Sequence, residues 1–354
     1  MILLFGFVER DLHDEMVAHH YKSGPVSSRD AIKRALKSHE NPLEDASMTR
    51  IPEHLRVLPN GPPFVHNLDP TLHIYYSSAT IQKAALNGLH TIVADGVHSF
   101  QPRQLRKTGQ LYTAHGVCSN GVEVPLLYAV SARKTEEIYE AIFGHLRAEL
   151  EASVMPPALR IVLDYERSAI LAAGRVFPQA RVQGCAFHLA QVWNRRRDKV
   201  GMTPFLEGPQ KSVEVADWWD TIKGLVFLPR RLHREVRALD APPVPVQHPA
   251  FTPCRLFLSY LRENWYEGMF SDMWDKYGLE ELRTTNLAEA YHSQLNTLFD
   301  ADHPQLGKLI EVLRDLNSEA FAALTALEQN PTHAKYLRRR DRERRERIAT
   351  EMRR

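Results

Sequence analysis

An α/β fold, with a mixed sheet flanked by helices, is predicted by three features of this chain. Segments 90–95, 109–117 and 122–130 are β-rich and punctuated by Gly109, Gly116 and Asn120-Gly121, the pattern of successive short strands. Helical and short apolar segments then alternate as far as about residue 200, which suits crossovers between parallel strands. Two of the apolar segments, His90–Asp95 and Arg160–Asp164, close on an aspartate.

The elements follow in order. Ser119-Asn-Gly121 is a hairpin signal between the second and third strands. Over Thr135–Leu150, Ile138, Ile142, Leu146 and Leu150 recur on one helical face. Ile161-Val-Leu163 is wholly apolar, as expected of a central strand covered on both sides. A helix over 168–176 stops near Pro178, 182–187 reads as the next strand, and a helix from Leu189 carries Arg195, Arg196, Arg197 and Lys199. Three strands, then helix, strand, helix, strand and helix make the order of a ribonuclease-H-like fold.

The strand pattern is lost between 201 and 282. There Trp218, Trp219, Trp265 and Trp274 suggest an all-helical insertion, with a loop at Ala241-Pro-Pro-Val-Pro245. The expected organisation is therefore an N-terminal helical or irregular segment at 1–70 and a ribonuclease-H-like core at 71–200. The insertion at 201–282 comes before the last catalytic helix, 283–330 completes the core and holds that helix, and an Arg-rich helix occupies 331–354. Most often the tryptophans of such a region are its core; the sharper reading is that one stacks on a base flipped out of DNA.

Composition narrows the function. With 354 residues, 44% hydrophobic and 25% charged, the chain reads as globular, and no apolar run reaches the ~20 residues of a membrane span. The eight apolar residues Met1–Val8 run into Glu9, Arg10 and Asp11 without a basic leader, a poor secretory signal. Cys118, Cys185 and Cys254 are too few and too scattered for a disulfide framework or a four-cysteine zinc module. The net charge of +2 divides unevenly: Lys335–Arg354 holds ten basic against four acidic residues, or +6, which leaves −4 for residues 1–334. Attraction to nucleic acid must then come from local patches.

The candidate chemistry rests on three carboxylates, Asp95, Asp164 and Glu289. An aspartate closing a strand also starts turns and caps helices. Glu289 lies opposite an apolar stripe of Leu287, Tyr291, Leu295 and Leu298, as a solvated glutamate would, but shares its face with Asn286, His292 and Ser293. Two strand-end carboxylates and one from a late helix make a pocket suited to two divalent cations and phosphodiester chemistry.

The segments Asp95–Pro102, Gln110-Leu-Tyr112, Lys134–Tyr139, Asp164-Tyr-Glu166, Phe177-Pro178, Cys185–Gln191 and Thr285–Glu289 together resemble the transposase domain of Mutator-like elements. The resemblance spans about residues 50–300. It implies that Asp95, Asp164 and Glu289 are the acidic triad of a DDE-type transposase. They would hold two Mg²⁺ or Mn²⁺, with Asp95 bridging both ions and the other two holding one each. The partner implied is double-stranded DNA, at transposon ends and at a target, handled in the nucleus by a homodimer, with no membrane. Val97-His98 departs from the family pattern of a threonine and an aromatic residue after the glycine.

Cys185 and His188 have the spacing of half a zinc site, which His248 and Cys254 would have to complete. Zinc is not expected; the resemblance marks this pair as characteristic, and it stands as a second-tier site, structural or zinc-binding. Arg195, Arg196 and Arg197, with His292, are the candidate DNA contacts. The Arg-rich tail reads equally as a phosphate-binding segment or a salt-bridged helix. Two other functions use the same fold: a domesticated DNA-binding regulator without transposition, and a nuclease that cuts without strand transfer.

Overall fold

The computed structural model describes residues 46–105, 108–279 and 302–331, with single positions between 291 and 299 and between 343 and 350. Residues 1–45 of the N-terminal segment and most of the Arg-rich tail fall outside these residues.

Seven strands form one mixed sheet: β1 (Val65–Asp69), β2 (Leu72–Tyr76), β3 (Thr91–Val97), β4 (Gln110–Val117), β5 (Glu123–Ser131), β6 (Arg160–Leu163) and β7 (Arg181–Gly184). Their order is β1-β2-β5-β4-β3-β6-β7. Pairs β3–β6 and β6–β7 are parallel and all others antiparallel. This is the ribonuclease-H-like arrangement the sequence predicts. Between β4 and β5 the turn Ser119–Gly121 takes Asn120 to φ 58°, a conformation asparagine tolerates better than most residues. Pro125 stands opposite His115, where the β4–β5 register shifts; a residue without an N–H fits such an irregularity.

Helix α1 (Glu53–Arg56) precedes the sheet, α2 (Ser78–Leu86), α3 (Glu136–Ala152) and α4 (Arg167–Val176) link its strands, and α5 (Ala186–Lys199) follows β7. One sheet face packs on α2, α3 and α4 through residues such as Ile92, Ile142, Leu146, Leu163 and Ala172. The opposite face carries Tyr75, Leu111, Tyr128 and Val130, covered by Met48–Leu58 and by the first half of α9 (Leu306–Gln329). The 24-residue α9 then reaches the first core through Ala320, Leu324 and Leu327.

From 203 to 266 the chain holds α6 (Thr203–Leu206), α7 (Val213–Gly224), α8 (Phe251–Leu261), three 3₁₀ turns and a π turn at Arg262–Tyr266, with no strand. These form a third core that Leu189 and Trp193 of α5 enter.

The sequence reading needs correction in three places. The sheet begins at Val65, ahead of the boundary drawn at 71, and residues 46–58 already belong to its core. Strand β2 and helix α2 went unrecognised as separate elements. Strand β7 ends at Gly184 instead of 187, because α5 starts at Ala186.

Candidate active site

Strands β3 and β6 run parallel with Thr91 beside Arg160, Ile92 beside Ile161 and Val93 beside Val162. The same register carried two residues further brings Asp95 level with Asp164. Adjacent strands lie about 4.8 Å apart, so the two carboxylates emerge side by side at the C-terminal strand ends. Val93 and Val162 pack together with Val117, and side chains alternate along a strand; Asp95 therefore shares the Val93 face. Asp95 is buried at 8% exposure, and its Oδ1 accepts the Gly96 N–H at 2.9 Å. Asp164 accepts the Glu166 N–H at 3.2 Å. Both carboxylate charges act on the same two side chains, Tyr112 and His188, a second sign that they converge.

Behind the pair runs a hydrogen-bonded chain assembled from three distant segments. Gln110 Nε2 donates to Tyr139 Oη at 2.9 Å, Tyr139 donates to Glu166 Oε1 at 2.7 Å, and Lys134 Nζ meets Glu166 Oε2 at 3.2 Å. Burial, reinforced by the Glu166 charge, raises the Tyr139 pKa far above the tyrosine range, so it remains a donor. Gly96 faces the Gln110 side chain so closely that a Cβ would collide with it. Gly184 meets the Tyr165 ring in the same way, and Tyr165 in turn packs edge-on to Trp265 at 4.8 Å and Phe270 at 5.3 Å. Asp164, Tyr165 and Glu166 thus serve the carboxylate pair, the helical region and the buried network respectively.

The Cys185 N–H donates to Leu163 O at 2.7 Å, which ties the start of α5 to the end of β6. His188 sits in the first turn of that helix. Burial works against its charged form; the Cys185 hydrogen bond and the charges of Cys185, Asp95 and Asp164 outweigh burial, and the pKa is raised to about 9. Lys276 is also buried here and donates to Gly184 O and Met273 O. Burial is the main reason its pKa falls to about 8, against the opposing charges of Cys185 and Asp275. Nothing in the local sequence singled out Lys276.

Residues 94–192 match the family model of the MULE transposase domain. This segment is similar to the transposase domain of Mutator-like elements. No curated protein matches the chain. The match starts beside Asp95, ends within α5 and takes in Asp164, Cys185 and His188. Transposase domains act on DNA, and no helix among the described residues is long and apolar enough to cross a membrane.

The other predicted residues fall unevenly. Glu289 and His292 lie outside the described residues. Tyr291 is described: its ring packs on His115 at 4.5 Å and on Tyr128 at 6.3 Å. Leu295 is fully buried in the same core, whereas Leu298 is 45% exposed, so among the described residues the expected apolar stripe holds at Tyr291 and Leu295 and not at Leu298; Leu287 lies outside them. His115 pairs with Val93, and Asp95 with Thr113, so Tyr291 covers the face on which Asp95 lies.

The three arginines do not share one surface. Arg196 lies over the Tyr260 ring at 4.8 Å, and Arg197 lies over Trp219 at 5.7 Å while pairing with Asp198 at 2.7 Å. Only Arg195 of the three is exposed. Successive helical residues point about 100° apart, so three in a row cannot all face one DNA backbone.

Cys185, His188, His248 and Cys254 do not converge. Cys254 is buried in the third core, with its thiol pushed up to about 11 by burial, and His248 Nδ1 accepts the Ala250 N–H at 3.1 Å. Among the described residues no group of three or more His, Cys, Asp or Glu side chains is placed to hold a metal; Asp95 and Asp164 are two of the expected three. Trp218, Trp219, Trp265 and Trp274 are at most 5% exposed, which removes base stacking by any of them.

Proposed function

We propose that this chain is the catalytic domain of a metal-dependent DNA transposase. It would hydrolyse a phosphodiester at an element end and then join the freed 3′ hydroxyl to a target strand. The reading rests on one observation above all: the parallel β3–β6 register that sets Asp95 level with Asp164. Carboxylate oxygens at that spacing suit hard divalent cations such as Mg²⁺ or Mn²⁺. Two such ions, when bound, would supply activation of the attacking oxygen and stabilisation of the leaving one.

Glu289 is assigned the third ligand position. The assignment follows the family resemblance of Thr285–Glu289, and the described Tyr291 packs over the Asp95 face. Asp95 and Asp164 would hold the ions, Gly96 and Glu166 N–H groups fix the carboxylate orientations, and the Gln110–Tyr139–Glu166 chain keeps the two strand ends in place. His188, in the first turn of α5, is hydrogen-bonded to Cys185 and lies within the field of both carboxylates. Action in the nucleus and as a homodimer belongs to the same proposal, since joining two DNA ends requires both to be held together.

The test is plasmid nicking with Mg²⁺ or Mn²⁺. Asp164→Asn should lower the nicking rate about a thousandfold, the effect of losing several kcal/mol of transition-state charge stabilisation. Equal nicking by the variant sinks the proposal. DNA binding that survives in both proteins with no metal-dependent product would instead support the regulatory reading.

A further inference from the structure

With the four tryptophans inside their own core, and Tyr112 and Tyr291 buried, the exposed aromatic ring at the start of α5 is Phe187. It is 40% exposed, in the first turn of α5, with its ring 5.7 Å from the His188 ring. The Cys185 N–H, two residues before Phe187, donates to Leu163 O at 2.7 Å, next to Asp164, so the first turn of α5, and Phe187 with it, starts at the rim of the carboxylate pair. Gln191 and Arg195 follow it at four-residue intervals, and Arg195 donates to Gln191 Oε1 at 3.4 Å. Residues four apart are neighbours on a helix surface, so the three form one continuous stripe. The other side of α5 is committed: Leu189 and Trp193 enter the helical core, and Arg196 and Arg197 lie on its rings.

An exposed phenylalanine running into an exposed arginine, and starting at a metal-type carboxylate pair, has the chemistry of a nucleic-acid strand contact. Rings stack on unpaired bases whatever their sequence, and arginine holds phosphates. The charge balance points the same way, because residues 1–334 sum to −4 and any attraction for DNA must be local. A protein partner would gain little from a single ring backed by a polar Gln191 and a charge.

We infer that Phe187 and Arg195 form the strand-guiding edge of the site: Phe187 stacks on an unpaired base next to the phosphate presented to Asp95 and Asp164, and Arg195 holds the backbone further along. Eight residues of helix place Arg195 about 12 Å beyond Phe187, or roughly three to four steps of B-form DNA at 3.4 Å each. This inference rests on the proposed nucleic-acid chemistry and deepens it.

The experiment measures binding of two DNA probes by fluorescence anisotropy in an Asp164→Asn background, so that neither is cut. One is a 20-base-pair blunt duplex and the other the same duplex with a single-stranded 3′ arm. Phe187→Ala should weaken the armed probe about tenfold, within the range of base–aromatic stacking, and change the blunt duplex less than about twofold. Phe187→Tyr should keep the preference for the armed probe. Arg195→Ala should weaken both probes and reduce the salt slope by about one, as loss of one phosphate contact requires. Armed-probe binding unchanged by Phe187→Ala, or equal weakening of both probes, overturns the stacking role; an unchanged salt slope for Arg195→Ala overturns the phosphate contact. Nicking by the unsubstituted protein is scored separately. Nicking retained with no effect of Phe187→Ala removes this inference alone. No nicking, with the armed-probe preference kept, removes the carboxylate chemistry and leaves the strand-guiding edge standing.

Discussion

The carboxylate end of the sheet and the helical region at 203–274 meet on one helix, α5, and are built on opposite principles. At the sheet end, polar groups from β3, β4, α3 and the β6–α4 turn converge and are held by single hydrogen bonds: Gly96 to Asp95, Gln110 to Tyr139, Tyr139 to Glu166. In the helical region large rings do the work. Trp193 stands 5.7 Å from Trp274 and 6.0 Å from Trp265, Trp219 is 5.0 Å from Phe257, and the Trp274 Nε1–H donates to Trp265 O at 2.6 Å. Apolar burial stabilises by about 25 cal/mol per Å², so each of these rings contributes more to folding than any hydrogen bond at the site. Substitutions on the two sides of α5 should therefore separate: one set changes chemistry with the fold intact, the other changes stability first.

The largest stability effect is expected at Trp193, which is 2% exposed and projects from α5 into the third core. Trp193→Ala should destabilise by about 3 to 5 kcal/mol, the cost of emptying a large core site. Asp164→Asn should leave the free energy of unfolding within about 0.5 kcal/mol of the parent. Urea titrations of both variants check the contrast. A Trp193→Ala protein as stable as its parent would mean that the helical region is not cooperative with the sheet.

Tyr139→Phe probes the sheet end from behind. It keeps the ring against Tyr112, whose centroid is 5.0 Å away, and removes the hydroxyl that links Gln110 to Glu166. Losing a partner that orients first ligands typically costs 10- to 100-fold in activity or metal affinity, so nicking should fall about tenfold, with the Mn²⁺ requirement shifted to higher concentration. A drop in nicking rate at saturating Mn²⁺ with no such shift would assign Tyr139 to packing.

Much of this was visible in the sequence, and where it was not the reason is physical. Ile161-Val-Leu163 and the α3 stripe are apolar in the right period, and they became β6 and α3. Asp95 and Asp164 stood out because each follows such a segment. Strand β2 did not stand out because all five of its residues are buried, which erases the alternation that marks a strand. One of them is His73, satisfied by the Tyr75 hydroxyl at 2.7 Å and Met48 O at 3.0 Å. The Gln110–Tyr139–Glu166 chain joins residues 27 to 56 positions apart, and no local pattern encodes such a contact. Phe187 was read only as part of the Cys185–Gln191 segment, since exposure of one ring depends on where its helix starts.

The smallest expected effect is the most discriminating for α5. Arg196 and Arg197 read from the sequence as a basic patch, yet Arg196 lies on Tyr260. A cation–π contact of this kind is worth about 0.5 to 2 kcal/mol, and the aliphatic stem adds packing that alanine would lose. Arg196→Ala should therefore lower stability by about 1 kcal/mol and leave the salt slope of DNA binding unchanged. Arg195→Ala should do the reverse, because its side chain is exposed and contacts Gln191 only weakly at 3.4 Å. Paired urea titrations and salt-dependent binding on the two single variants give the answer. If Arg196→Ala reduces the salt slope as much as Arg195→Ala does, the Tyr260 contact opens when DNA binds, and α5 turns a second arginine from core packing to backbone contact.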